Sequence, residues 1–274
     1  MFLKKLFKAQ HYLKSKQNRN KYINLIQKIN HPTLSEIFKT INQIENSDFD
    51  VEDQAVFDKL KSYRNSLKEN NQSIDYSIFG IENRIVSEIY KSASSTEMWS
   101  RFHYLLTKNL KAKNYLEIGT NLGISGSYIL SGLSKNSNFQ FITMEGVDQL
   151  SDIAQAQFET VAMPENFKIL RGLYDKTFPE LLNIELKFDI LFIDGNHHYE
   201  PTLHYFEKLK QKAADISVFL FDDIYWNEEM KDAWNVIKQD NSISYTIDLF
   251  KMGIVVIDRT KEIKSVHTQY FLTR

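Results

Sequence analysis

The chain of 274 residues contains no cysteine, which removes disulfide staples, thiolate metal sites and every mechanism built on a cysteine nucleophile. It has almost no net charge either, since 34 Lys and Arg stand against 35 Asp and Glu for a balance of −1. No global field therefore draws it to nucleic acid or to acidic substrates, and any polyanion contact would be local. Long apolar runs are missing, so neither a signal peptide nor a membrane span is expected, and the cytoplasm is the expected compartment. Glycine is scarce in the first part of the chain: of nine glycines only Gly80 precedes Gly119. Tight backbone turns belong to the remainder of the chain.

What is present divides near residue 78. Lys4, Lys5, Lys8, Lys14, Lys16, Arg19, Lys21 and Lys28 all precede the first acid, Glu36, and Phe2, Leu3, Leu6, Phe7 and Leu13 recur among them at helical spacing. That pattern reads as a solvated amphipathic helix, with a weak membrane-surface contact as its alternative. After Pro32, Thr33 and Glu36 form a capping-box pattern ahead of Leu34, Ile37, Phe38, Ile41 and Ile44, and Val56, Leu60, Tyr63 and Leu67 repeat the helical period. Residues 1–78 thus read as a helical accessory region without catalytic motifs, open to use as a dimer arm, a lid or a partner-binding element. Residues 79–274 read as the main domain.

There the pattern changes to helices alternating with short apolar runs: 114–118, 139–144, 167–170, 188–193 and 216–221. Such runs suit parallel strands buried on both faces. Two further runs, 244–249 and 252–257, are separated by so little chain that only an antiparallel hairpin can join them. The expected fold is α/β, a doubly wound, seven-stranded, mostly parallel sheet with an N-terminal helical extension.

The first of these strands ends in an acid and then turns on glycine: Tyr115-Leu116-Glu117-Ile118-Gly119-Thr120-Asn121-Leu122-Gly123-Ile124-Ser125. Gly119 and Gly123 allow close backbone approach to a ligand, and the next helix start presents N–H groups to an anion. The spacing is not GxGxxG, which weakens a pyrophosphate reading and with it an NAD-dependent dehydrogenase. Glu145 ends the second run, where an acid can accept hydrogen bonds from both ribose hydroxyls of an adenosine. Gly172 comes after the third run, where a turn can pass close to an adenine ring.

These segments, together with Phe188 to Tyr199, resemble class I S-adenosylmethionine-dependent methyltransferases over roughly residues 85–258. The likeness is to the catechol, caffeoyl-CoA and macrolide-sugar O-methyltransferase branch. It implies that Gly119, Gly123 and Ser125 line the methionine part of the cofactor and that Glu145 meets its ribose, with Glu117, Thr120, Gly146 and Gly172 as further cofactor-binding candidates. Ser94 falls where such enzymes have a cofactor-touching loop, although a helix N-cap at Ser94 or Ser95 explains it as well.

The fourth run ends at Asp194 and the fifth at Asp222-Asp223. If the two strands are neighbours, three carboxylates converge, and such an oxygen-rich cluster suits a hard divalent ion such as Mg²⁺. The resemblance supports that set and puts Trp226 where an aromatic is common. The alternative is that Asp194 binds on the cofactor side while Asp222 or Asp223 caps the next helix, and Asp194 is a catalytic candidate in either case. His197, three residues after Asp194, is the candidate base, because a neutral imidazole takes a hydroxyl proton near pH 7; His198 competes with it. Tyr199, Tyr225 and Trp226 are candidate walls for the substrate. The expected reaction is metal-assisted O-methylation of a hydroxyl on a small molecule or sugar. The rivals are a cofactor-binding protein without turnover and, less favoured, a nucleic-acid methyltransferase, whose Asn/Asp-Pro-Pro-aromatic signature is missing from the chain.

Overall fold

The computed structural model describes residues 2–261 and 265–272, with side chains from residue 6 onward. The side chains of Phe2, Leu3, Lys4 and Lys5, part of the expected amphipathic face, lie outside the described residues. Helices α1 (Phe2–Ile29), α2 (Pro32–Asn46) and α3 (Val51–Glu69) lead into a short hairpin, β1 (Ser73–Ile74) with β2 (Arg84–Ile85), and then into α4 (Val86–Ala93) and α5 (Glu97–Leu110). The alternating part runs β3 (Asn114–Ile118), α6 (Ile124–Leu133), β4 (Gln140–Glu145), α7 (Asp148–Phe158), β5 (Phe167–Arg171) and α8 (Tyr174–Asn183). It continues through β6 (Phe188–Ile193), α9 (Tyr199–Leu209), β7 (Ala213–Phe221), α10 (Glu228–Ile237), β8 (Tyr245–Asp248), β9 (Gly253–Asp258) and β10 (Val266–Gln269).

The chain forms two compact units, Asn42–Leu186 and Met1–Ile41 with Lys187–Arg274. In the first, β3, β4 and β5 are parallel, pairing Leu116 with Ile142 and Thr143 with Ile169. Parallel pairing needs crossovers, and α6 and α7 supply them. In the second, β6 and β7 are parallel, β9 runs antiparallel to both β7 and β8, and β10 lies parallel to β8. All seven expected strands are present in this α/β, mostly parallel fold. The strand β10 is an addition to them; Val-His-Thr-Gln has no apolar run because its pairing is to β8 alone.

The helices before residue 78 belong to both units. His31 Nε2 meets Asp258 Oδ2 at 2.9 Å and His11 Nε2 lies 3.5 Å from Asp248 Oδ1, tying α1 and the start of α2 to β8 and β9. In the other unit, α3 starts on a reciprocal capping box between Asp50 and Asp53, and the Tyr63 hydroxyl donates to the Leu122 carbonyl at 2.6 Å. Thr33 lies within α2, whose first helical residue is Pro32, a position that the fixed φ of proline suits.

Close packing sets the distance between α6 and α7. A β-carbon on Gly126 would stand 2.5 Å from Phe158 Cζ and 3.1 Å from Phe141 Cε1. Both rings are fully buried, and Phe158 is held edge-on by Phe141 and Phe167. Gly126→Ala is expected to cost about 1–3 kcal/mol by overpacking, seen as a lower urea midpoint at unchanged slope. An unchanged midpoint would mean that Phe158 swings aside freely.

Candidate functional site

In the unit Asn42–Leu186 the loop after β3 is built around two buried acids. Gly119 takes φ 109° and Gly123 φ 68°, conformations that a side chain would strain. The missing side chain of Gly123 makes room for α7, since a β-carbon there would stand 2.8 Å from Ala154 Cβ. Glu117 is fully buried and accepts hydrogen bonds from Ser125 Oγ at 2.5 Å and Thr143 Oγ1 at 3.0 Å. Thr120 Oγ1 lies 2.7 Å from Thr143 Oγ1 and extends that network inward. Burial raises the Glu117 pKa from 4.5 to about 8, against the pull of the two hydroxyls. At pH 7 the group is therefore mainly a neutral acid.

Glu145 closes the other side of the loop. Its Oε2 accepts from the Asn121 amide at 2.7 Å and its Oε1 from the Val147 amide at 2.9 Å. Burial pushes its pKa up, opposed by these backbone N–H groups. The Asn121 side chain donates to the Ala93 carbonyl at 3.0 Å, which brings the 93–94 turn to the loop. Ser94 caps the C-terminal end of α4, and its hydroxyl is buried without a hydrogen-bond partner. A buried hydroxyl left unpaired is costly and fits a ligand group that completes it. Gly172, at φ 125°, donates its amide to the Glu145 carbonyl at 2.8 Å. A β-carbon on Gly146 would lie 3.1 Å from Phe79, an exposed ring from the segment between β1 and β2. These residues thus fit an adenosine-bearing cofactor with a charged tail. Asn121, part of the expected loop, is not among the candidate site residues; it takes a left-handed backbone, φ 50°, which Asn favours.

In the unit of Met1–Ile41 and Lys187–Arg274, β6 and β7 bring together the loops that carry Asp194, His197, Asp222 and Asp223. The Asp222 amide donates to the Ile193 carbonyl at 3.1 Å, and His197 Nε2 lies 3.6 Å from Asp194 Oδ1. The structure does not show the expected metal set. Lys251 Nζ donates to Asp222 Oδ2 at 2.8 Å and to Asp223 Oδ1 at 3.0 Å, so an ammonium already bridges the acid pair and offsets one of its two charges. Burial pulls the Lys251 pKa down, but Asp222 and Asp223 outweigh it and hold the group above its ordinary value. Among the described residues no three His, Cys, Asp or Glu side chains are arranged to hold a metal ion. Asp194, Asp222 and Asp223 therefore do not fit Mg²⁺ as they stand.

The two histidines separate. His198 is exposed and its Nδ1 lies 3.2 Å from Glu229 Oε2, which also accepts from the Tyr199 amide at 3.1 Å. His197 is half-buried beside Asp194. Tyr199 opens α9 and is half-buried, and Trp226 is 59% exposed. Tyr225 is occupied otherwise than expected: its hydroxyl donates to Asp248 Oδ2 at 2.5 Å, and its ring packs edge-on against Phe7 and His11 of α1. It anchors a helix and is not a free wall.

A family model described as a methyltransferase domain matches residues 116–224, a span that holds Glu117, Glu145, Asp194, His197, Asp222 and Asp223. A catechol O-methyltransferase of Niastella koreensis is 26% identical over 133 residues, 48% of this chain; the chain spans 58% of that relative's length. Among solved structures, an O-methyltransferase from Bacillus cereus in complex with S-adenosylhomocysteine shares 17% identity at a TM-score of 0.54, over 74% of this chain and 90% of that one. An O-methyltransferase of tomaymycin synthesis from Streptomyces achromogenes, in complex with S-adenosylmethionine, shares 14% identity at a TM-score of 0.54, over 60% and 82%. Both share the fold.

Proposed function

We propose that the protein is an S-adenosylmethionine-dependent O-methyltransferase acting on a hydroxyl of a small molecule or sugar, a reading supported by the match of residues 116–224 to a methyltransferase-domain model. The observation that carries this reading is the loop Gly119–Ser125, held between two buried acids and beside the unpaired Ser94 hydroxyl. When bound, S-adenosylmethionine supplies an electrophilic methyl group. Glu145 and Gly146 hold its ribose, Gly172 lies near its adenine, and Glu117, Gly119, Thr120, Gly123 and Ser125 cradle its methionine part. Ser94 completes its hydrogen bonding on the cofactor. His197 takes the acceptor hydroxyl's proton, and Asp194 orients that imidazole and stabilises its cation. Tyr199 and Trp226 select the acceptor. Residues 1–78 act as an accessory region in a cytoplasmic protein, with α1, whose Leu6 and Leu13 are exposed, a solvated helix.

Incubation with methyl-labelled S-adenosylmethionine and a panel of catechols, phenols and sugars tests the reading by label transfer and release of S-adenosylhomocysteine. No binding of S-adenosylhomocysteine would overturn it. His197→Ala is expected to lower turnover by about 10²–10⁴-fold while leaving S-adenosylhomocysteine affinity in place. Undiminished turnover would remove His197 from the mechanism, and His198→Ala is the control.

A further inference from the structure

We infer that Lys251 is the resident cation of the acid pair after β7, so that Asp222 and Asp223 bind no divalent ion and the proposed methyl transfer is metal-independent. The transfer part rests on the proposed methyltransferase function; the assignment of the cation does not. The register of β7 and β9 pairs Phe221 with Gly253, and two further steps outward along this antiparallel pair bring Asp223 opposite Lys251. The backbone locks them there, because the Ile224 amide donates to the Lys251 carbonyl at 3.2 Å. The turn that carries Lys251 is itself closed by Leu249 N to Met252 O at 2.9 Å and by Phe250 N to Asp248 Oδ1 at 2.9 Å.

The distances belong to an ammonium. Nζ stands 2.8 and 3.0 Å from its two carboxylate oxygens, hydrogen-bond lengths for N⁺–H to O⁻. A magnesium ion would need oxygens at about 2.0–2.1 Å in near-octahedral array, so each carboxylate would have to close in and Lys251 would have to leave. A divalent ion and the ammonium would otherwise repel each other at contact distance. Of the ammonium's three N–H groups, two are spent on Asp222 and Asp223, and the side chain is 34% exposed. The remaining donor is free to meet an acceptor's oxygen, the place a metal would otherwise take.

The test is calorimetric titration of Mn²⁺ into the full chain saturated with S-adenosylhomocysteine, after a separate titration of S-adenosylhomocysteine itself. Wild type and Lys251→Arg are expected to give no binding heat up to about 1 mM Mn²⁺. Lys251→Met, which keeps the apolar stem and removes the charge, is expected to gain one site per chain, and adding Asp222→Asn should abolish it. One-to-one Mn²⁺ binding by the wild type that is lost in Asp222→Asn would overturn the assignment, and so would a folded Lys251→Met variant that binds none. If the Mn²⁺ pattern is as expected but S-adenosylhomocysteine does not bind, the resident cation stands and the methyltransferase reading falls.

Discussion

Replacing Glu145 with alanine is expected to weaken S-adenosylhomocysteine binding by about 100-fold or more, taking roughly 1.5–3 kcal/mol for each hydrogen bond to a charged group. Two such bonds are visible without any ligand, from the Asn121 and Val147 amides. Their loss leaves Asn121 to hold a left-handed backbone, φ 50°, with its side-chain bonds to Ala93 and Leu122 alone. The ribose hydroxyls would lose their acceptor at the same time. Glu145→Gln keeps one carbonyl acceptor and should fall between the two. Titration calorimetry on variants with wild-type circular dichroism reads the effect. Unaltered affinity in Glu145→Ala would mean that the loop binds its ligand without this acid.

The pH dependence of folding should carry the mark of Glu117. Its carboxyl ionises near 4.5 in an ordinary setting and at about 8 when buried in the fold. The folded state therefore holds a proton that the unfolded chain releases. The stability it contributes is complete below pH 4.5 and is lost as pH rises through about 8. The loss amounts to something on the order of 3–5 kcal/mol. Glu117→Gln keeps an acceptor for Ser125 or Thr143 and cannot ionise. Urea unfolding of both proteins at several pH values between these limits isolates the contribution as a difference, with the variant gaining on the wild type as pH climbs. Parallel pH profiles would place the Glu117 pKa near its ordinary value. A neutral acid in this position also has a use, because a ligand with an ammonium group would favour its carboxylate and expel the proton on binding.

Much of this architecture is written in short stretches of chain. The run Asn114–Ile118 is both the expected strand and the observed β3, and Phe188–Ile193 is β6 without a shift at either end. Glu117 and Glu145 stand where a strand gives way to a loop, and the positive φ values of Gly119 and Gly123 answer to residue types chosen for that turn. Each of these features depends on neighbours a few residues away, so periodicity, glycine placement and the acid at a strand end suffice to find them. Val266–Gln269 offers no such pattern, because an edge strand that pairs on one side takes its place from β8 and not from its own apolar content.

The acid cluster shows the other limit. Asp194, Asp222 and Asp223 are legible as three carboxylates at strand ends, and three unneutralised acids argue for a metal. The cation that meets Asp222 and Asp223, Lys251, lies 29 residues from the first and 28 from the second along the chain, in a turn with no motif. Tyr225 makes the same point: beside the acid pair in sequence it reads as a substrate wall, yet its hydroxyl is spent on Asp248 and its ring on α1. Strands, turns and the two buried acids at strand ends come from local backbone preference and burial pattern, which the sequence carries in full. Which cation meets which carboxylate is set by strand register and packing at long range, where a shift of one residue would turn every side chain to the other face, and only the folded chain decides it.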